Sequence, residues 1–118
     1  PKLIWLNGSV KMNDYEKWSK MAVGTQLANV GGEINRAIRW KNRGDDKKTA
    51  NFYKKAMEFL ELTMQDPKNS HRVGELNEAR YELEDFFYGG NTYQNTDKSI
   101  MKYYDAFLMP PYTERREV

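Results

Sequence analysis

The sequence predicts an all-α protein, a four-helix antiparallel up-and-down bundle at 13–109, between an N-terminal arm (1–12) and a flexible C-terminal tail (110–118). Apolar residues recur every three or four positions in four segments, which is the spacing of an amphipathic helix. Helix-breaking residues separate these segments, and short connections favour antiparallel neighbours. The chain has 118 residues, the usual size of one domain.

The arm differs from the rest of the chain in its residue pattern. Two short runs flank Asn7-Gly8, a pair that favours a type I′ turn, so the arm is a candidate short hairpin. A four-helix core offers little room for the apolar side chains of this arm. We therefore expect two copies to form a symmetric dimer through an interface made by Leu3, Ile4, Trp5 and Leu6.

The first predicted helix spans 13–43, from Asn13 as the N-cap to Gly44 as the stop. It carries apolar residues on two sides, as the central helix of a bundle does. Gly31 and Gly32 lie in the middle of this helix, and Ala28 and Gly32 form a groove of small residues. We expect a neighbouring helix to approach closely at this groove, in preference to a kink.

Three further helices complete the predicted bundle. The second spans 46–65 and ends at Asp66-Pro67, because a residue that precedes proline is disfavoured in the α region. The third begins after residue 69 or 70 and ends at Gly89-Gly90. The fourth has Thr96 as its N-cap and ends before Pro110-Pro111.

Composition excludes several classes of function. The chain has no cysteine and a single histidine, His71, which removes thiol chemistry and any site that needs two imidazoles. Nineteen basic and seventeen acidic residues leave a net charge of +2, too little to argue for nucleic acid. No apolar run approaches the ~20 residues of a membrane span, and no secretion signal is recognisable, so we expect a cytoplasmic protein.

Four carboxylates have a spacing that is found in magnesium enzymes. Glu58 and Glu61 are three residues apart, as are Glu82 and Asp85. The pattern resembles the signature of the all-α nucleoside triphosphate pyrophosphatases, the MazG and dUTPase group, which implies Mg²⁺ held by these four residues. The helical phase, however, directs Glu58, Glu61 and Asp85 to solvent. A solvated charged face without a cofactor is therefore favoured, and the Mg²⁺-dependent hydrolase is the alternative.

A polar cluster is predicted on sides of the helices that are otherwise apolar. Asn29, Glu33 and Arg36 share one side of the first helix, and Arg80 lies within the apolar stripe of the third. A buried arginine requires a carboxylate or carbonyl partner, and Glu33 is a natural one. The cluster is either a structural contact that fixes helix register or a pocket in which Arg36 and Arg80 bind an anionic ligand.

Basic residues are concentrated around the connection between the first and second predicted helices, near Trp40, Phe52 and Tyr53. Such a surface could contact the phosphates and bases of a nucleic acid. Neighbouring acids dilute the charge, and the aromatic side chains suit the core, so a nucleic-acid partner is not favoured. The basic residues are Arg39, Lys41, Arg43, Lys47, Lys48, Lys54 and Lys55.

Three longer stretches of the sequence carry a second resemblance to known proteins. They are residues 24–33 with Arg36 and Trp40, residues 58–63 with Asp66-Pro67, and residues 87–91 with Tyr93. As a set they resemble a family of small, uncharacterised bacterial helical proteins, which implies a helical fold and a bacterial origin. This resemblance implies no activity. The sequence as a whole favours a non-enzymatic binding or assembly module.

Overall fold

The computed structural model describes residues 12–108. The α-helices of this region are α1 (Met12–Ser19), α2 (Val23–Asn42), α3 (Asp46–Gln65), α4 (Val73–Tyr88) and α5 (Asp97–Asp105), with 3₁₀ segments at Pro67–Arg72 and Ala106–Leu108. It contains no strand, and the all-α prediction is confirmed. None of its helices has the length and apolar character needed to span a membrane. The predicted hairpin and tail lie outside the described residues.

Contacts between side chains establish the direction of each helix. Gln26 at the start of α2 contacts Asp66 at the end of α3, and Asn42 at the end of α2 contacts Asp97 at the start of α5. The helix α4 runs antiparallel to both of its neighbours. The pairs that show this are Glu61–Arg80 and Tyr53–Tyr88 with α3, and Glu75–Tyr103 and Glu82–Asn95 with α5. Helices α2 to α5 therefore form the predicted up-and-down bundle.

The core lies around α2, which packs against both α3 and α5. Its side chains meet fully buried leucines of α3 and α4, and burial of each such side chain contributes roughly 1.5–3 kcal/mol. The largest fully buried apolar residues are Leu27, Ile34, Leu60, Leu62, Leu76 and Leu83. The prediction of a central first helix is therefore confirmed for α2.

The prediction of one continuous first helix is wrong, because the structure divides this segment into α1 and α2. At the break, the carbonyl of Trp18 accepts a hydrogen bond from the Gln26 side chain at 2.8 Å, and the carbonyl of Ser19 accepts one from Lys68 at 3.0 Å. Side chains thus satisfy carbonyls at the end of α1 that would otherwise lack an intrahelical partner. Helical periodicity alone does not reveal these bonds.

The predicted close approach is confirmed, and α2 continues without interruption from Val23 to Asn42. A Cβ atom placed on Gly31 would lie 3.0 Å from Cβ of Tyr104 in α5. A Cβ on Gly32 would meet only the end of the Arg36 side chain, at 3.6 Å. The close contact therefore requires glycine at residue 31 and not at residue 32.

The predicted ends of the later helices agree with the structure to within a few residues. Gly44 has φ +79°, a left-handed conformation that suits glycine after α2. Asp45 caps α3, since its carboxylate accepts a hydrogen bond from the backbone N–H of Lys48 at 2.9 Å. Thr96 caps α5 and forms a reciprocal capping box with Ser99. The third predicted helix starts late, at Val73, because a 3₁₀ segment precedes it.

Candidate functional site

The structure does not bring the predicted polar cluster together. Arg80 pairs with Glu61 of α3 at 2.8 Å, so the expected contact between Arg80 and Glu33 is wrong. Glu33 pairs with Arg36 one turn along its own helix, at 3.0 Å, and Arg36 is exposed. Asn29 is also exposed and donates to the carbonyl of Thr25 at 3.0 Å. These residues therefore do not line a common pocket.

The four carboxylates of the pyrophosphatase-like spacing have different partners. Glu61 binds Arg80, and Glu82 accepts a hydrogen bond from Asn95 at 2.9 Å. Glu58 lies in a separate groove between α1 and α3. Among residues 12–108, no three His, Asp or Glu side chains converge as a set of metal ligands. The expectation that Glu58, Glu61 and Asp85 face open solvent needs correction, because all three are only partly exposed.

Asp85 organises the loop between α4 and α5. Its carboxylate accepts hydrogen bonds from the backbone N–H groups of Thr92 at 2.9 Å and Tyr93 at 3.0 Å. The bond from Tyr93 is the main cause of a lowered Asp85 pKa, since a hydrogen bond to the carboxylate favours its charged form. A Cβ on Gly89 would lie 2.9 Å from Cα of Asp85, so this loop also requires glycine. Asp85 therefore has a structural role in the loop.

A groove between α4 and α5 combines several carboxylates with apolar surface, which makes it the candidate site in the described residues. It encloses about 260 Å³. Ala79, Ile100 and Tyr104 provide apolar surface, and Ser99 lies at its margin. Three carboxylates of α4 and the phenol of α5 complete the lining: Glu75, Glu78, Glu82 and Tyr103. These acids are three and four residues apart, which places them on one face of α4.

Neutral donors hold the three groove carboxylates in position. Glu75 accepts from the phenol of Tyr103, and Glu78 accepts from the phenol of Tyr93 at 2.9 Å. Glu82 accepts from Asn95, as described above. Arg72 lies 3.3 Å from Glu75, whereas Glu78 and Glu82 have no ion-pair partner within residues 12–108. The groove is therefore ordered by hydrogen bonds and keeps much of its negative charge.

Tyrosines of the groove have perturbed acidity. Burial is the main cause of a raised pKa at Tyr103, and the hydrogen bond to Glu75 adds to it. Burial likewise raises the pKa of Tyr104. On the far side of α4, burial and the nearby Glu84 raise the pKa of Tyr53 to about 12. The neutral phenols are thus part of the folded structure, since burial disfavours the phenolate.

These phenols predict a loss of stability in alkaline solution. The unfolded chain releases phenol protons near pH ~10, whereas folded Tyr103 and Tyr104 hold theirs to higher pH. Their stabilising contribution is complete below about pH 10 and declines as the pH rises above it. Urea unfolding between about pH 8 and pH 11 measures the decline, which should be shallower in Tyr103→Phe. A free energy of unfolding that stays constant over this range would contradict the prediction.

A buried polar network joins α1, α2 and α3 at the opposite end of α2 from the Gly44 turn. Gln26 donates to Asp66 at 2.9 Å and accepts from Asn69 at 2.8 Å. Trp18 donates to the hydroxyl of Thr63 at 3.0 Å. All the side chains of this network are buried, and their hydrogen bonds are made within the protein. We therefore assign the network to structure and not to ligand binding.

Sequence reasoning missed both this network and the groove. The one available signal for the network is Asp66 before Pro67, which the sequence indicates only as a helix end. The signal for the groove is the spacing of Glu75, Glu78 and Glu82 along α4, of which the sequence prediction considered only Glu82, in the alternative metal site. The predicted interface of Leu3, Ile4, Trp5 and Leu6 lies outside the described residues, so it stays a prediction.

Comparison with known proteins adds no further assignment to the site. No protein-family profile, no curated protein and no solved structure matches this chain. The resemblances noted from the sequence therefore remain predictions. Any function must be argued from the geometry and chemistry of the groove and of the remaining surface.

Proposed function

We infer that this protein is a non-enzymatic binding module whose α4–α5 groove receives a positively charged side chain of a partner protein. The observation that carries the proposal is the alignment of Glu75, Glu78 and Glu82 on one face of α4, above apolar surface. A lysine or arginine has the matching division into a charged end and an aliphatic stem.

Charge supports a cationic occupant. Residues 73–88, which form α4, contain five acids and one base, Arg80. Arg80 points away from the groove acids to pair with Glu61 of α3. A cation from a partner protein would meet Glu78 and Glu82 already oriented by Tyr93 and Asn95. Preorganised acceptors of this kind reduce the entropy lost on binding.

The floor of the groove supports a side chain with an aliphatic stem. Ala79, Ile100 and Tyr104 offer apolar contacts below the carboxylates. The ring of Tyr103 adds an aromatic face, which favours a nearby cation. A small hydrated metal ion would gain nothing from these surfaces, whereas the methylene groups of lysine or arginine would bury against them.

The proposal also favours binding over the alternative, Mg²⁺-dependent pyrophosphohydrolysis of a nucleotide. The pyrophosphatase-like acids are committed to other partners, notably Glu61 to Arg80 and Asp85 to the loop at Thr92. As proposed, the module works in the bacterial cytoplasm as a dimer formed through residues 3–6. That part of the proposal derives from the sequence alone.

The test uses a short capped alanine peptide with one central lysine, followed by ¹H–¹⁵N NMR. We expect shift changes in α4 and α5 around Ala79 and Ile100. The variant Glu78→Gln/Glu82→Gln should weaken binding by at least about tenfold, because a hydrogen bond to a charged group contributes about 1.5–3 kcal/mol. The same peptide with acetyllysine should not bind, since it lacks the charge.

The matched control is Glu16→Gln/Glu84→Gln, which removes two exposed acids outside the groove. It should bind the lysine peptide within about twofold of the unmodified protein, because distant exposed charges contribute little. Equal weakening in the two double variants would mean that only total charge matters and would overturn the groove assignment. Shift changes confined to other helices would overturn it as well.

A further inference from the structure

The turn between α2 and α3 concentrates positive charge. Residues 36–55 contain eight basic and two acidic residues, although the net charge of the whole chain is only +2. Among them, Arg39 and Arg43 lie at the end of α2, and Lys47 and Lys48 lie in the first turn of α3. We call these four residues, with Trp40, the basic surface. It is distinct from the acidic groove in place and in charge.

Carboxylates do not neutralise the basic surface. Within residues 12–108, none of Arg39, Arg43, Lys47 and Lys48 forms a salt bridge. The same holds for the flanking cations Lys41, Lys54 and Lys55. The nearby acid Asp45 accepts the backbone N–H of Lys48 as the cap of α3. Within the described part of the chain, the acids that seemed to dilute the charge therefore form no ion pair with these cations.

Trp40 gathers two of these cations on its ring. The ammonium of Lys48 lies 4.0 Å from the ring centroid, and the guanidinium of Arg43 lies 5.0 Å from it. An aromatic ring attracts a cation without cancelling its charge. Both groups are thus held close together and remain available to an anion. Trp40 itself is partly exposed, so the expectation that it serves only the core needs correction.

Helix stability does not explain the lysines. The N-terminus of a helix carries a partial positive charge, so Lys47 and Lys48 in the first turn of α3 are unfavourable there. Acidic residues are the stabilising choice at such positions, as Asp46 illustrates. The contact with Trp40 offsets this cost for Lys48, whereas Lys47 has no such contact in the described residues, so its position is better explained by binding to an external anion.

We propose that the basic surface binds the phosphate backbone of a nucleic acid. From Lys47 to Lys55, α3 extends about 12 Å at ~1.5 Å per residue. Nucleotides in a strand are ~3.4 Å apart along the helix axis, so this length matches three or four phosphates. When Lys48 and Arg43 turn from the Trp40 ring to phosphates, the ring becomes a surface for a base, which favours single strands over duplex.

An anionic membrane would be a different partner for the same charge. Helices that bind at a lipid surface insert large apolar side chains next to their cations. The large hydrophobic residues exposed in the described part of the chain are Val73, Tyr81, Tyr88, Tyr93 and Leu108. None of them lies between residues 36 and 55. The surface therefore fits a phosphate backbone better than a bilayer.

The test measures fluorescence anisotropy of labelled RNA and DNA single strands and a DNA duplex, each of about 20 nucleotides. We expect the single strands to bind. With about four phosphates neutralised, at ~0.7 per contact, affinity should fall roughly 50-fold between 50 and 200 mM salt. A fourth measurement uses vesicles that contain an anionic lipid. Binding to these vesicles without binding to any oligonucleotide would overturn the proposal.

The decisive variant is Lys47→Glu/Lys48→Glu, which should reduce affinity at least about tenfold and flatten the salt dependence. Acidic residues suit the first turn of a helix, so this variant should fold. The matched control, Lys20→Glu/Lys102→Glu, changes the net charge equally at two exposed lysines outside the basic surface. It should change affinity less than about threefold, since separated charges are largely screened.

Tryptophan emission provides a second readout. A bound strand should quench the emission of Trp5→Phe, and the quenching should be lost in Trp5→Phe/Trp40→Phe, because the remaining tryptophan, Trp18, is buried. Three results would overturn the proposal: no binding of any oligonucleotide at low salt, equal loss in the two charge-reversal variants, or quenching that persists in Trp5→Phe/Trp40→Phe.

Discussion

Replacing Gln26 by methionine will lower the free energy of unfolding by about 3–5 kcal/mol, because it leaves several buried polar groups without partners. The Gln26 side chain is 0% exposed. Its amide donates to the carbonyl of Trp18 and to Asp66, and its oxygen accepts from Asn69. Methionine has nearly the same volume and cannot make these bonds. The loss therefore reports hydrogen bonding and not a cavity.

Thermal unfolding should show a decrease of roughly 10–20 °C in Tm for this variant. The control is Gln65→Met, at a partly exposed glutamine in the last turn of α3. We expect it to change stability by no more than about 0.5 kcal/mol. If Gln26→Met were as stable as the control, the buried network would not hold α1, α2 and α3 together, contrary to our assignment.

The second large effect is expected at Gly31, where leucine should lower the free energy of unfolding by about 3 kcal/mol. Its Cβ would lie 3.0 Å from Cβ of Tyr104, and the rest of the side chain would extend further into α5. Because the contact is with an atom next to the α5 backbone, the whole helix must shift to accommodate it. Guanidinium unfolding monitored by circular dichroism measures the change.

Gly32→Leu is the matched control, one residue along the same helix. Its Cβ would meet only the flexible end of Arg36, and leucine forms helices better than glycine by about 0.8 kcal/mol. The two variants should therefore change stability in opposite directions. A similar loss at both positions would show that α2 cannot accept any side chain here, and that Tyr104 is not the cause.

We propose that the two charged surfaces of this small protein bind partners of opposite charge. The groove carries Glu75, Glu78 and Glu82, whereas the basic surface carries Lys47 and Lys48 on another helix. The experiments at the two surfaces use different probes and different variants. Failure at one surface would leave the evidence at the other unchanged.

Much of the fold could be predicted because it is encoded by neighbouring residues. The helix ends at Gly44, Asp66 and Gly89 follow from backbone preferences that act over a few residues. The cap at Thr96 is equally local. A close approach in this part of α2 was predictable from its small residues, although the prediction placed it at Ala28 and Gly32 and the tight contact is at Gly31. These features need no knowledge of which helix lies opposite.

The candidate site depended on relations that are not local. Helical phase predicts that Arg80 faces the neighbouring helices. It does not predict which position along a neighbouring helix lies opposite Arg80, so it could not distinguish Glu33 from Glu61 as the partner. The division between α1 and α2 depends on Gln26 and Lys68 reaching the end of α1. The groove acids became recognisable only when α5 placed Tyr103 and Ile100 beside them.

The sequence by itself therefore determined the four main helical segments, their order and most of the residues that end them. Only the tertiary structure decided the break between α1 and α2, the ion pair of Arg80, the buried partners of Gln26, and the acidic groove. The physical reason is that periodicity fixes the angle of a residue around its own helix axis. Packing of several helices together fixes the axial offset between them, and with it the contacts of each polar side chain.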